Sequence, residues 1–206
     1  MADEDRHEHR HEHHKFDPAW AQRLLSPERE RLLPPAAILE LLEAGPGQTA
    51  ADIGCGPGFL SLPLARAVAP GGGRVLACDI SPEMLAMLRR RAEEAGIAAL
   101  ETFESGESSL PLPDASCDRV LLVCLLHELA APAAFLGEVR RVLRPGGRGL
   151  AVDWQARESP FGPPLRSRVP AERAREWLEA AGLSPEAAAD VGPHSYGIVF
   201  HGPAGA

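Results

Sequence analysis

The sequence predicts an α/β fold, in which a mainly parallel sheet carries helices on both faces. From residue 49 onward, short apolar segments typical of strands alternate with longer segments whose apolar residues follow helical spacing. The chain has 206 residues, of which 45% are hydrophobic, and this is enough for one such domain. Strands that alternate with helices of this length pair mainly in parallel, and the helices then cover both faces of the sheet.

Three regions are expected along the chain. Residues 1–15 are rich in charge and histidine, lack apolar periodicity and are predicted to be a disordered tail. Residues 16–45 predict short helices that cover the domain, because Trp20, Leu24 and Leu25 share a helical face and Pro34 with Pro35 opens the next apolar run. Residues 46–206 form the main domain.

The elements of the main domain follow from periodicity and turn residues. Strands are predicted near residues 50–54, 74–78, 99–104, 117–124, 148–153, 186–191 (the weakest) and 196–201. Helices are predicted near residues 58–69, 82–95, 132–144 and 170–181. The third of these helices is expected to stop at the sequence Pro-Gly-Gly of residues 145–147.

Composition excludes several classes of function. The net charge of −8 argues against extended contact with nucleic acid phosphates. Lys15 is the only lysine and Tyr196 the only tyrosine, so neither Schiff-base chemistry nor a Tyr-x-x-x-Lys dehydrogenase pair is expected. The longest apolar run, residues 120–126, is too short to span a bilayer, and with no secretory pattern at the start a soluble cytoplasmic protein is expected. The four cysteines form no C-x-x-C pair and are predicted to be buried thiols.

A glycine-rich turn within ADIGCGPGFL, residues 51–60, is the strongest functional signal. It is not a P-loop, because Phe59 and Leu60 interrupt the required Gly-Lys-Ser/Thr. It is not a dinucleotide fingerprint that starts at Gly54, because that pattern needs glycine at position 59. The loop has no Lys or Arg, and Pro57 lacks an amide hydrogen, so the loop is short of the positive charge and hydrogen-bond donors that bind a pyrophosphate. A ligand with little negative charge, or a cation, fits better.

A second acid supports this interpretation. Asp79 follows an apolar strand and lies 25 residues beyond Gly54. A carboxylate at that place accepts hydrogen bonds from the two hydroxyls of a ribose and repels a 2′-phosphate. A nucleoside without phosphate, such as the one in S-adenosylmethionine, has the matching chemistry.

Four segments in this order resemble the class I S-adenosylmethionine-dependent methyltransferases, over roughly residues 36–206: DIGCGPG, CDISPEML, LPLPDASCDRV and RRVLRPGGRGLAVDW. The sequence is most similar to the small-molecule branch, which includes quinone-biosynthesis enzymes. The resemblance implies a doubly wound, Rossmann-like sheet of seven strands with an antiparallel last strand. It also implies that residues 46–206 bind S-adenosylmethionine.

The resemblance further implies a set of cofactor-binding residues. The loop glycines would admit the methionine end, Asp52 would fix the turn or an ordered water, Asp79 would hold the ribose, and Ile80 and Met84 would pack on the adenine. Many relatives have Gly-Asp-Ala after the third strand, whereas this chain has Ser-Gly-Glu at residues 105–107, so Glu107 is expected to replace the aspartate. The full predicted set is Asp52, Gly54, Cys55, Gly56, Gly58, Asp79, Ile80, Met84, Gly106, Glu107, Ser108 and Leu125.

Two catalytic residues are predicted, His127 and Asp153, because the ends of the fourth and fifth strands should form the reaction chamber. His127 is either a general base, with an ordinary pKa of about 6.5, or a residue that caps the strand end or orients Glu128. Asp153 either orients a polar acceptor or makes a strand-end hydrogen bond. Tyr196 is predicted to be a packed aromatic residue rather than a proton donor.

The proline-rich segment at residues 156–170 is predicted to be a lid over the site. Its Arg166 and Arg168 either clamp an acidic group of the substrate or remain solvated loop charges, and the second interpretation is preferred. The predicted function is in-line methyl transfer to a small molecule, with no nucleic acid and no membrane insertion. Its alternatives are a non-catalytic protein that binds S-adenosylmethionine or S-adenosylhomocysteine, and a protein methyltransferase.

The histidines of the tail, five between residues 7 and 14, are expected to bind divalent metals weakly. No catalytic metal site is predicted. The sequence does not define the oligomeric state.

Overall fold

The computed structural model describes residues 18–203. The predicted disordered tail at residues 1–15, with its histidines, lies outside them. The helices are α1 Pro18–Arg23, α2 Pro27–Leu32, α3 Pro35–Leu42, α4 Ser61–Val68, α5 Pro82–Glu94, α6 Pro132–Val142 and α7 Ala171–Ala180. The strands are β1 Thr49–Ile53, β2 Arg74–Asp79, β3 Leu100–Glu104, β4 Cys117–Val123, β5 Leu143–Trp154, β6 Ser184–Pro185, β7 Ala189–Asp190 and β8 Ser195–His201.

The strands form one mixed sheet in the order β3-β2-β1-β4-β5-β8-β6, and β7 also pairs with β8. The first five strands are parallel to their neighbours, and β8 runs antiparallel to β5. This arrangement confirms the predicted doubly wound, Rossmann-like fold with an antiparallel last strand. The carboxyl ends of β1, β2, β4 and β5 therefore meet at one edge of the sheet, where ligands bind in open α/β folds.

Side chains that alternate along the central strands build two apolar layers. On β4, Val120 and Leu122 pack into the layer that contains α6 and α7, whereas Leu121 and Val123 pack into the layer that contains α3, α4 and α5. Successive side chains of a strand point to opposite faces, so a strand with no polar alternation is buried on both. This explains why the apolar run at residues 120–126 is continuous.

Local sequence signals set the starts of several helices. Ser81 caps α5, its hydroxyl accepting a hydrogen bond from the Met84 amide at 3.2 Å, and Pro82 occupies the first turn. Ser26 caps α2 in the same way, by accepting from the Arg29 amide at 3.3 Å. The cap on α5 matters for the site because Ser81 lies two residues after Asp79, at the end of β2.

Two boundaries differ from the sequence prediction. The sheet has eight strands because, instead of one strand at residues 186–191, a two-residue strand β6 forms just before this region and another, β7, forms within it, and the two pair with opposite ends of β8. The third predicted helix ends at Val142, and β5 starts at once rather than near residue 148. Leu143 pairs with Cys117, and a register shift before Arg119 accommodates the Pro-Gly-Gly segment inside the strand.

Candidate functional site

The glycine loop at residues 54–58 connects β1 to α4 through a backbone that only glycine adopts easily. Gly54, Gly56 and Gly58 have φ values of +72°, +51° and +85°. A Cβ on Gly58 would lie 2.2 Å from the Leu88 side chain, and one on Gly54 would lie 3.0 Å from the Leu125 side chain. The loop is therefore held tightly between α5 on one side and the segment after β4 on the other.

The amide groups of this loop are already used inside the protein. The amides of Gly54 and Cys55 both donate to the Cys78 carbonyl, at 2.8 and 3.0 Å. The Gly58 amide donates to the Cys55 carbonyl at 3.1 Å, the Gly56 amide donates to a side chain, and residue 57 is a proline. No amide at positions 54–58 remains to bind a phosphate, which agrees with the exclusion of a pyrophosphate.

Asp79 joins this loop to the end of β2. Its Oδ2 accepts the Gly56 amide at 2.7 Å, and its Oδ1 accepts the Ser81 amide at 2.9 Å. Burial raises the pKa of Asp79 above its ordinary value, although the backbone hydrogen bonds act in the opposite direction. The residue is half-buried, and each carboxylate oxygen accepts one of these hydrogen bonds, so lone pairs remain for a further donor such as a ribose hydroxyl.

Asp52 lies beneath the loop, near the end of β1. It is buried, and its Oδ2 accepts the Ser61 hydroxyl at 2.5 Å. Burial raises the pKa of Asp52 to about 6, against the lowering effect of the Ser61 hydrogen bond and with help from the charge of Asp79. Asp52 thus ties the end of β1 to the first residue of α4, and its predicted role in fixing the turn for the cofactor stays a prediction.

The predicted adenine-side residues lie around the end of β2. Ile80 is 60% exposed, an unusual position for a large apolar side chain, whereas Met84 in the first turn of α5 is buried. The loop after β3 is tied to the same place, because the Ser105 amide donates to the Asp79 carbonyl at 3.0 Å. Within that loop Gly106 pairs with Ser109, Glu107 is exposed and Ser108 is half-buried.

His127 and Asp153 meet at the ends of β4 and β5. The His127 Nδ1 lies 2.8 Å from Asp153 Oδ1, and the backbone amide of His127 donates to Oδ2 at 3.2 Å. Asp153 is fully buried and also accepts the Trp154 amide at 2.7 Å. Because a carboxylate only accepts hydrogen bonds, Nδ1 carries the hydrogen and the lone pair of neutral His127 is on Nε2.

This contact sets the protonation of the imidazole. Burial alone would lower the pKa of His127, but the hydrogen bond and charge of Asp153, together with the charge of Glu128, raise it above its ordinary value. Nε2 lies 3.7 Å from Glu128 Oε1, and 10% of the His127 side chain is exposed. Asp153 lies behind His127 with its oxygens engaged, so it is placed to orient the imidazole rather than an acceptor.

Arg168 neither faces solvent nor is free to clamp an acidic group of a substrate. It is buried, and its guanidinium donates to the carbonyls of Gln155, Arg157, Phe161 and Pro163 at 2.5–3.1 Å. It also lies 6.0 Å from the centre of the Trp154 ring. The preferred interpretation of Arg168 as a solvated charge is therefore wrong, since this side chain holds the proline-rich segment together. Arg166 is exposed.

Tyr196 is buried, and its hydroxyl donates to the Val169 carbonyl at 3.1 Å. Burial raises the pKa of this phenol far above its ordinary value, with smaller contributions from nearby acids, of which Asp153 is the largest. Its environment is that of a packed aromatic residue. His194, two residues before Tyr196, lies in tilted contact with Phe161, with ring centres 5.7 Å apart.

Sequence reasoning missed two residues of this region. Ser61 binds Asp52, and the guanidinium of Arg29, on α2, lies 5.3 Å from the centre of the Phe59 ring at the end of the loop. Neither belongs to a motif, because their importance depends on contacts between separate elements. Among residues 18–203, no cluster of histidine, cysteine or acidic side chains is arranged to hold a metal ion.

Comparison with known proteins decides the family. Residues 51–151 match the family described as "Methyltransferase domain". A crystal structure of an S-adenosylmethionine-dependent methyltransferase from Aquifex aeolicus superposes with a TM-score of 0.85 and 30% identity, covering 91% of this chain and 99% of that one. This chain belongs to the class I S-adenosylmethionine-dependent methyltransferases. S-adenosylmethionine is the cofactor of the family, and the predictions of family, fold and cofactor are confirmed.

This chain matches only part of the length of two further relatives of the methyltransferase. The demethylmenaquinone methyltransferase of Symbiobacterium thermophilum is 38% identical over 109 residues, which are 52% of this chain and 43% of that protein. An uncharacterized protein of transposon TN4556 from Streptomyces fradiae is 45% identical over 123 residues, 59% of this chain and 35% of that protein. The chain therefore spans less than half the length of these relatives. In the described part of the methyltransferase, no helix is long and apolar enough to cross a membrane.

Proposed function

We propose that this methyltransferase transfers a methyl group to a small molecule whose reacting atom is activated by loss of a hydroxyl proton. The observation that carries the proposal is the hydrogen bond of 2.8 Å between His127 Nδ1 and the buried Asp153. A histidine oriented by a buried carboxylate, with its second nitrogen directed elsewhere, is the arrangement of a general base.

The base lies next to the predicted cofactor loop. Leu125 contacts Gly54, at the start of the loop, and His127 follows two residues later in the same short turn. Asp79 contacts the middle of the same loop, because its carboxylate accepts the Gly56 amide. One continuous set of contacts thus links the residues predicted to hold the ribose to the residue predicted to remove a proton.

The residues of this site fit the cofactor. The loop offers no free amide and no cation of its own to a phosphate, and the carboxylate of Asp79 favours a ribose with free hydroxyls. Asp79, Ile80 and Met84 would hold the nucleoside, and the glycines of residues 54–58 would face the amino-acid end. When bound, S-adenosylmethionine supplies an electrophilic methyl group on a positive sulfur.

Each protein residue then has a defined task. His127 Nε2 accepts the proton of an acceptor hydroxyl, and Asp153 stabilises the imidazolium that results. Trp154, at 6% exposure, and the segment that Arg168 closes over it exclude water from the end of β5. Alignment of acceptor and donor supplies much of the remaining acceleration, on the order of 7–11 kcal/mol in favourable cases.

A quinol is the acceptor class that we favour. One relative is named as a demethylmenaquinone methyltransferase, and a quinol has both an acidic hydroxyl and a ring carbon that becomes nucleophilic when the hydroxyl is deprotonated. Trp154 at the end of β5 and Phe161 in the segment that follows it are aromatic residues of the kind that pack against a flat apolar ligand. The net charge of −8 gives no support to a nucleic acid substrate.

The test uses methyl-labelled S-adenosylmethionine with reduced demethylmenaquinone and a panel of simple phenols. We expect label in the quinol with the natural protein and with His201→Ala, a control histidine that pairs with Glu186 at the opposite end of β8. His127→Ala should lose about 10²- to 10⁴-fold in rate while S-adenosylhomocysteine still binds. Full activity of His127→Ala would contradict the assigned base. Cofactor binding without any transfer would instead support the non-catalytic binding protein.

A further inference from the structure

The amino-acid end of S-adenosylmethionine carries a carboxylate, and the glycine loop has no free hydrogen-bond donor to bind it. The amides at residues 54, 55, 56 and 58 donate within the protein, and residue 57 has no amide hydrogen. The acids beside the loop are Asp52 on β1 and Asp79 at the end of β2, and their carboxylates repel an anion. A cation from another element is therefore needed to bind that carboxylate.

Arg29 on α2 is a described cation beside the loop whose Nε donor is not used inside the protein. Its guanidinium lies 5.3 Å from the centre of the Phe59 ring, directly after the loop, and within hydrogen-bonding reach of the Cys124 side chain at the end of β4. Its Nε is buried without any hydrogen-bond partner. An unpaired buried donor is costly, so a site for an acceptor beside Nε is a physical expectation.

The neighbouring arginines are already occupied. Arg91 approaches the loop from α5, but its Nη1 donates to the Pro57 carbonyl. The guanidinium of Arg168 donates hydrogen bonds to four carbonyls of the segment after β5. The chain between α1 and α2 also packs close to the loop. The Leu24 side chain lies 3.7 Å from the position that a Cβ on Gly56 would occupy. Arg29 is thus brought to the loop by a packed contact.

We infer that Arg29 binds the carboxylate of the cofactor's amino-acid end and makes the cover helices part of the cofactor site. This inference rests on the proposed function, since it assumes that S-adenosylmethionine occupies the loop. A planar guanidinium suits a carboxylate better than a lysine does, because two parallel hydrogen bonds form at once.

The test is calorimetric titration of the full chain with S-adenosylmethionine and with its decarboxylated form, which lacks only the carboxylate. The natural protein should bind the complete cofactor about 10- to 100-fold more tightly. Arg29→Met, which keeps an unbranched apolar side chain but removes the guanidinium, should bind both ligands alike. Arg31→Met, an exposed arginine on the same helix, should retain the preference. Arg29→Lys should retain only part of it.

The outcomes separate the possible failures. Equal binding of both ligands by the natural protein overturns the inference without any variant, even if a variant does not fold. A retained preference in Arg29→Met overturns it as well. If Arg29→Met binds the cofactor normally but raises the KM of the acceptor, the guanidinium serves the acceptor and the inference is wrong. If the natural protein binds neither ligand, the proposed function fails with it.

Discussion

The imidazole of His127 and the carboxylate of Asp153 form a pair whose chemistry depends on burial. Asp153 has no exposed surface, and its oxygens accept hydrogen bonds from His127 and from two backbone amides. Such a carboxylate fixes the orientation of the ring and favours its protonated form. The pair therefore controls both where Nε2 points and the pH at which it can act.

The pH dependence of methyl transfer follows from the raised pKa of His127. A base acts when it is neutral, so the rate should rise as pH increases through a pKa above the ordinary value of about 6.5. Asp153→Asn removes the charge that raises this pKa, so the rise should move to lower pH while the maximum rate falls. Profiles of kcat/KM against pH for both proteins check this. Identical midpoints would contradict the coupling between the two residues.

Asp52 gives a prediction for stability rather than for activity. Its pKa is about 6 in the folded protein and 3.8 in the unfolded reference, so ionisation disfavours folding. The stability that the protonated carboxyl provides is present below pH 3.8 and is lost as pH rises through about 6. The loss corresponds to about 3 kcal/mol of unfolding free energy.

Asp52→Asn should remove this pH dependence. In urea titrations between pH 4.5 and 8, the stability of the natural protein should fall relative to that of the variant as pH rises. Glu93→Gln, which changes an exposed acid on α5, serves as the control and should track the natural protein. A constant difference between Asp52→Asn and the natural protein across this range would show that the buried carboxyl does not titrate as described.

Helices and loops respond to glycine substitutions according to their surroundings. Gly58 combines φ +85° with a Leu88 atom 2.2 Å from the Cβ position, whereas Gly137 on α6 has nothing within 4 Å of that position. Gly58→Ala should therefore destabilise the protein by more than about 1 kcal/mol and weaken cofactor binding. Gly137→Ala should stabilise it by about 0.5–1 kcal/mol. Urea unfolding measures both, and equal effects would contradict the close packing of the loop.

The segment after β5 depends on one buried side chain. Arg168 donates to four carbonyls between residues 155 and 163, so Arg168→Met should release this segment without unfolding the sheet. Chymotrypsin should then cleave near Phe161 at least about 10-fold faster, a rate that follows the open population of the loop. Arg166→Met, which alters an exposed arginine, should be cleaved like the natural protein. Unchanged cleavage in Arg168→Met would contradict the assignment.

The order of elements was predictable because periodicity is local, and this explains why the strands and helices near Gly54 and Asp79 match. Boundaries that depend on pairing were not. The start of β5 at Leu143 requires its partner Cys117, and the division of the region before β8 requires two separate contacts with that strand. Patterns along the chain contain no information about such partners.

The site could be predicted only as far as motifs extend. The glycine loop, Asp79 and the pair of strand ends follow from spacing and from the topology of parallel sheets. The roles of Arg29 and Arg168 do not, because an arginine in a polar segment has the same sequence context whether it is solvated or buried. The direction of Asp153, toward His127 rather than toward an acceptor, is likewise a property of packing.

At the scale of the whole molecule, pairwise contacts connect one edge of the sheet with the segment between α1 and α2 and with the segment after β5. The contacts run from Asp79 through Gly56 to the loop, and from Gly54 through Leu125 to His127. We propose that this site binds a nucleoside without phosphate, namely S-adenosylmethionine with its positive sulfur or its product S-adenosylhomocysteine.

Titration calorimetry of the full chain with S-adenosylhomocysteine, ATP and NAD tests this claim most directly. The occupied amides of residues 54–58 and the carboxylate of Asp79 predict saturable binding of S-adenosylhomocysteine and no measurable heat with either phosphate-containing ligand. Tight binding of ATP or NAD together with no response to S-adenosylhomocysteine would contradict it.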